Sequence, residues 1–226
     1  MFEVGLRISM PEGLYLRDPQ STELGRSIIK HAILLIDEIG FEALTFKKLA
    51  CKMGSNETSL YRYFENKHLL LLYLVVWYWN WVSYLIEINT RNIEDARRVL
   101  DVIIETIVDA TKENPSIDFV NEDVLHRIII SESTKAYHTK AVDKENKEGL
   151  FGGYKALVQK IADSILAVKK DFPYPHSLAS SLFEMANNQI YFAEHLPGLT
   201  DIKVKQGNYE QVVDMLKFFT KKMLEK

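Results

Sequence analysis

The groups best suited to chemistry lie close together between Gly54 and Lys67, where the chain reads G-S-N-E-T-S-L-Y-R-Y-F-E-N-K. Hydroxyls on Thr58, Ser59, Tyr61 and Tyr63, the amide of Asn56, the carboxylate of Glu57 and the cations Arg62 and Lys67 can bond phosphate oxygens and base edges. Their spacing sorts them. At about 100° per residue, Leu60 and Phe64 point one way while Thr58, Ser59 and Arg62 point the other, with Tyr61 and Tyr63 on the flanks. Gly54 suits the left-handed residue that ends one helix, Asn56 the N-cap of the next, and Glu57 the electropositive first turn. A short helix is therefore predicted over 57–65, with an apolar anchor and an exposed polar face, the layout of a recognition helix. Two bland readings stay open. Tyr61 and Tyr63 could pack on neighbouring helices, and Arg62 could pair with Glu57 or Glu65.

A helix that reads nucleic acid needs a support. Asp18-Pro19 opens a first helix with Leu24, Ile28, Ala32, Leu35, Ile36 and Ile39 on its apolar face, ending at Gly40. Thr45 caps a second, in which Phe46, Leu49, Ala50 and Met53 face inward and Lys47, Lys48, Cys51 and Lys52 face outward. That lysine face is either a solvated surface or an attractor for the phosphate backbone. Residues 1–17 alternate apolar and polar (Val4, Leu6, Ile8, Leu14, Leu16) around a Pro11-Glu12-Gly13 turn, so an N-terminal arm or short hairpin is expected over 1–21, with a disordered tail as the equal alternative.

After residue 68 the pattern stays helical. Leu69 to Ile86 carries no charge and would span about 27 Å as a helix at ~1.5 Å per residue, enough for a membrane. Asn80 and Ser83 interrupt it and no basic cluster flanks it, so a helix buried in protein is the preferred reading. Further helices are expected from about Asn92 to Asn114-Pro115, from Asn121 to Ser133, from Glu148 to Lys169, from Ser177 to Leu196 and from Gln206 to Lys226, with a polar loop over 131–147. No strand pattern follows residue 20. The fold class is all-α, a three-helix head on a larger helical body.

Bulk properties agree. The 226 residues are 47% hydrophobic and 26% charged, with net charge −3, so any contact with a polyanion must be local. Residues 1–70 carry nine basic and nine acidic residues, leaving the whole deficit in the remainder. The single cysteine, Cys51, excludes an intramolecular disulfide and a Cys-rich metal cluster, and with no export signal the expected setting is the cytoplasm. No Gly-rich phosphate loop, H-E-x-x-H, G-x-S-x-G elbow or paired-carboxylate helix motif with a nearby His of the Glu-x-x-His kind is found, so no enzyme, metal or cofactor is expected.

The runs I-D-E-I-G-F-E-A-L-T, K-K-L-A-C-K-M-G and S-L-Y-R-Y-F-E-N-K-H-L-L, in that order within about fifty residues from Glu23 to Leu72, resemble the DNA-binding domain of the TetR family of bacterial transcriptional regulators. The resemblance implies a homodimeric repressor or activator, repression being the expected output, on a pseudo-palindromic double-stranded operator. It places the head at 22–68 and an effector-binding and dimerisation body at 69–226. By motif position, Thr45 and Tyr61 would bind phosphate, Tyr63 and Lys67 the backbone beside the groove, and Glu57, Thr58, Ser59 and Arg62 would approach base edges, with Lys47 and Asn56 alongside. Two departures stand out: Ser55 where a small apolar residue is usual, and an acidic Glu57-Thr58 start that repels phosphate. The effector implied is a small, largely apolar molecule. Trp77, Trp81 and Tyr84 either line its cavity or cement the core, and His126, Arg127 and Tyr137 offer polar groups to orient it. In the family the last two helices form a four-helix dimer bundle, for which Leu182, Met185, Gln189, Phe192, Val212, Leu216 and Phe219 are the candidate faces. The competing reading is a helical adaptor that keeps the head without specific DNA binding.

Overall fold

Side-chain caps decide where most helices begin. In the computed structural model, which describes residues 7–110, 117–204 and 208–225, Thr22 accepts from the N–H of Gly25 and starts α1 (Glu23–Ala43). Thr45 accepts from Lys48 to start α2 (Phe46–Lys52), and Asn56 from Ser59 to start α3 (Glu57–Tyr61). Asn66 accepts from Leu69 near the start of α4 (Lys67–Thr90). Asp95 caps α5 (Ala96–Asp109) and Asn121 caps α6 (Glu122–Glu132). Each such cap is worth about 1 kcal/mol. α7 (Thr134–Tyr137), α8 (Val142–Lys147), α9 (Gly152–Val168), α10 (Pro175–His195) and α11 (Glu210–Glu225) complete the order. Among the described residues there is no β-strand.

Several boundaries differ from the sequence pattern. Asp18 caps a 3₁₀ turn, Pro19–Ser21, rather than α1 itself. α1 runs past Gly40, which takes φ +74° and ψ 157° and kinks it, to Ala43. α3 stops at Tyr61, not 65, because the N–H groups of Tyr63 and Phe64 both turn back to the carbonyl of Leu60 (2.9 and 3.1 Å). The polar stretch 131–147 holds two short helices rather than a loop; its buried Ala136 and Glu145 give it an inner side without apolar periodicity. The expected stop at Asn114-Pro115 and the residues Val4 and Leu6 lie outside the described residues. Within residues 7–18 no hairpin forms.

The chain divides into two compact units. The first holds residues 7–80 and 117–153, so the head shares a unit with α6, α7 and α8. Its core contains Ile28, Ala32, Ile36, Leu49, Leu60, Phe64 and the first turns of α4, all buried. α4 is long and apolar enough to cross a membrane by length and composition, yet Leu70 through Trp79 are buried in protein. Asn80, the polar interruption in that helix, donates to the carbonyl of Ser9 (2.8 Å).

The second unit holds residues 81–110 and 154–225. Here α10, α11 and α5 pack together, and Lys217 on α11 meets Glu105 on α5 at 2.6 Å. Glu105 also accepts from Arg98 (2.8 Å); burial alone would raise its pKa, but these two cations hold it below the ordinary value. The candidate dimer residues separate. Leu182, Val212 and Leu216 are fully buried within this unit and belong to its core, not to an outer face. Met185, Gln189 and Phe192 are half-buried, and Phe219 is exposed together with Phe218 and Met223.

α1 leaves no room for a side chain where the 3₁₀ turn crosses it, since a Cβ on Gly25 would lie 2.3 Å from the carbonyl oxygen of Pro19. Replacing Gly25 by Ala is expected to lower stability by about 1–3 kcal/mol, through overpacking against backbone that cannot yield. Chemical denaturation of the variant and the parent chain measures it.

Candidate nucleic-acid interface

α2 and α3 pack on each other across Gly54, whose φ of +63° supplies the left-handed stop. Leu60 and Phe64 are fully buried, as an anchor must be. The other side of α3 is open: Thr58, Tyr61 and Arg62 are exposed, while Glu57 and Ser59 are half-exposed. The Ser59 hydroxyl donates to Asn56 Oδ1 (2.9 Å), which also takes the Ser59 N–H, so Asn56 and Ser59 are tied up in starting the helix. Tyr61 stacks edge-on against Phe46 (ring centroids 4.9 Å apart) and its hydroxyl donates to Glu57 Oε1 (3.3 Å). It therefore packs and stays accessible at once. Among the described residues Arg62 makes no ion pair, so its guanidinium is available to a partner.

Two of the sequence candidates are engaged within the head. Tyr63 is buried, with its hydroxyl 2.8 Å from Thr22 Oγ1, and joins the exit of α3 to the N-terminus of α1. Lys67 is half-buried, and its ammonium lies over the Phe41 ring and donates to the carbonyls of Phe41 and Glu42 (3.1 and 3.0 Å). It satisfies helix-end carbonyls that α1 leaves open. The lysine face of α2 is also partly spent: Lys48 donates to Ala43 O (2.8 Å) and Lys52 is paired with Glu38. Lys47 stays exposed, and Thr45 is exposed beside its capping bond. Cys51 is an exposed free thiol. The sequence reading missed Thr22 and Arg17, which meet Tyr63 from a segment without helical periodicity.

The family model described as "Bacterial regulatory proteins, tetR family" matches residues 28–74, which span most of α1, all of α2 and α3, and the start of α4. Residues 28–74 thus carry a TetR-family domain. Comparison with curated protein sequences gives no match. Among solved structures, the chain is similar to a protein of Syntrophomonas wolfei assigned to the TetR-family transcriptional regulators (TM-score 0.65, 15% identity, 91% of this chain and 97% of that one). It is similar also to AibR in complex with isovaleryl coenzyme A and operator DNA (TM-score 0.59, 15% identity, 86% and 96% covered). The fatty acid degradation regulator FadR of Bacillus halodurans gives a TM-score of 0.58 at 16% identity, with 88% and 93% covered. At these identities the likeness establishes the fold.

The effector candidates are divided between the two units. Trp77, His126, Arg127 and Tyr137 lie in the first unit, and Trp81 and Tyr84 in the second, where they stack on each other (centroids 5.6 Å). Arg127 is at the surface, held by Asp37 (3.0 Å) and Asp123 (2.6 Å). Those hydrogen bonds, Asp37 first, push its pKa up, and they lock α6 to α1. Trp77 is buried, and Tyr137 packs near Trp79 (6.1 Å). His126 is the polar residue of real interest, buried and with Nδ1 2.6 Å from the Tyr78 hydroxyl.

Burial pushes the His126 imidazole down to about 4, with Arg127 adding to it, so His126 is neutral in the folded protein. An unfolded chain would protonate it near its ordinary value of about 6.5. The stability it confers is thus complete above pH 6.5 and drains away as pH falls towards 4, by as much as about 3 kcal/mol at 1.36 kcal/mol per unit. Urea midpoints measured across that window should fall, and a His126→Leu variant should show a shallower decline.

Proposed function

We propose that this chain is a ligand-responsive transcriptional regulator that binds a pseudo-palindromic operator as a homodimer in the cytoplasm. The observation that carries the reading is α3: a short helix started by Asn56, anchored by buried Leu60 and Phe64, with Thr58, Tyr61 and Arg62 turned to solvent within a head that matches a regulatory family. Thr58 and Arg62 are assigned to base edges, and Thr45, Lys47 and Tyr61 to phosphates. Glu57 accepts from Tyr61 in the free protein and suits a cytosine amino group in the complex.

A small effector, largely apolar, is the signal. AibR, a structural neighbour solved with both isovaleryl coenzyme A and operator DNA, supports pairing the two ligands on this architecture. Binding in the body would favour one separation of the two heads over another, moving α3 of each protomer in or out of register with half-sites a helical turn or more apart. Dimerisation is assigned to α10 and α11 through Met185, Gln189, Phe192 and Phe219, joined by Phe218 and Met223. These are the apolar and half-covered positions that the unit's own core leaves open.

Two measurements test the reading. With a duplex selected from a random library by the full-length protein, Thr58→Ala and Arg62→Ala should each weaken operator binding by about 1–3 kcal/mol, roughly 5- to 150-fold in Kd, with little loss on unrelated DNA. A wild-type chain without salt-sensitive, sequence-selective binding would refute it. Light scattering behind size exclusion should give a dimer at micromolar concentration, and Phe219→Glu should shift it to monomer.

A further inference from the structure

The segment ahead of α1 is a closed strap. Ile8 donates its N–H to Gln20 Oε1 (3.1 Å) and its carbonyl accepts from Gln20 Nε2 (2.7 Å), a pair of hydrogen bonds that seals the loop between them, and Arg7 is paired with Asp18. Gln20 is buried and Leu14 fully so. The strap reaches the exit of α3. There Leu16 donates its N–H to the carbonyl of Tyr63 (2.8 Å), and the Arg17 guanidinium lies 5.6 Å from the centroid of the Tyr63 ring. The same ring is pinned at its far end, where its hydroxyl meets Thr22 Oγ1, the cap of α1. Arg17 is exposed, and among the described residues no carboxylate meets it.

An arginine set on a fixed aromatic face, with its N–H edge free, has lost little freedom still to lose and is shaped for bidentate contact with a phosphate. The surroundings call for such a cation. α3 begins on Glu57; Lys48, Lys52 and Lys67 are engaged by groups of the head itself, and Tyr63 is buried. Exposed cations of the head that make no hydrogen bond or ion pair among the described residues include Arg62, Lys47 and Arg17.

We propose that residues 7–21 are part of the DNA-binding surface and that Arg17 binds a backbone phosphate beside the base pairs read by α3. This rests on α3 being the recognition helix. The role is positional, not sequence-reading: Arg17 adds affinity for any duplex and fixes the register of the head.

The test uses the full-length protein, its selected operator, an unrelated duplex of equal length, and fluorescence anisotropy over a salt series. Arg17→Ala should weaken binding to both duplexes alike, by roughly 5- to 10-fold, and reduce the slope of log Kd against log salt by about one. Arg17→Lys should keep the slope, because it keeps the charge even if the stacking loosens. Wild-type protein without salt-sensitive binding to either duplex would overturn the recognition-helix reading and this proposal with it. Wild-type binding matched in affinity and slope by Arg17→Ala would overturn this proposal alone. Loss of operator preference with an unchanged slope would also overturn it, since Arg17 would then be acting through Tyr63 on the placement of α3.

Discussion

The first unit turns on one backbone amide. Gly40 takes a conformation no helix allows, and the N–H of Phe41 beyond it is left without an intrahelical partner. Glu132 supplies the acceptor at 3.0 Å from the other end of α6, ninety-one residues along the chain. Leaving such a buried donor unmet costs about 1–3 kcal/mol, and the structure surrounds it with reinforcement. Lys135 meets the second oxygen of Glu132 at 2.7 Å and reaches Glu42 as well, Lys67 binds the carbonyls of Phe41 and Glu42, and Arg127 bonds Asp37 one turn earlier. The hydrogen bond to Glu132 raises the Lys135 pKa, as expected for a cation fixed by carboxylates. α2 and α3 follow this kink in the chain, so α6 is tied to the end of α1 from which they start.

That arrangement explains why several cations of the head are not free for DNA. Lys67 and Lys48 close helix-end carbonyls, and Lys52 answers Glu38. The head is an assembly of short helices, and short helices expose a large share of unsatisfied backbone groups. Side chains that would otherwise serve a polyanion are drawn into satisfying them. What is left for a partner is concentrated on the outward side of α3 and at the two places where neighbouring segments meet its ends.

The body buries polar groups sparingly but not at random. His126 and Glu145 both sit in the first unit with one polar atom each lacking a hydrogen-bond partner among the described residues, His126 Nε2 and Glu145 Oε2. Their other atoms are well used: His126 Nδ1 meets Tyr78, and Glu145 Oε1 lies 2.7 Å from His68 Nε2. Tyr78, with its pKa raised strongly by burial, stays a neutral hydroxyl and a dependable partner for a neutral imidazole. These pairs join α4 to α6 and to α8, giving the long apolar helix a specific register that greasy contacts alone would not impose.

Much of the head was legible in the sequence. Gly54, Asn56 and Thr45 act locally, through a left-handed turn and side-chain caps whose partners lie three residues away, so their positions declare their roles. The burial of Leu60 and Phe64 followed from helical period, which is likewise local. The fates of Tyr63, Lys67, Arg127 and Arg17 could not be read that way, because each depends on a partner distant in sequence: Thr22, the end of α1, Asp37 and the Tyr63 ring. A tyrosine or lysine at a given helical angle has the same pattern whether it faces solvent or another segment. The same limit governs α11, where Leu216 and Phe219 sit on one nominal stripe but one is core and the other exposed. Periodicity fixes which residues share a side of a helix; only the packing of α5, α10 and α11 decided how wide the buried part of that side is.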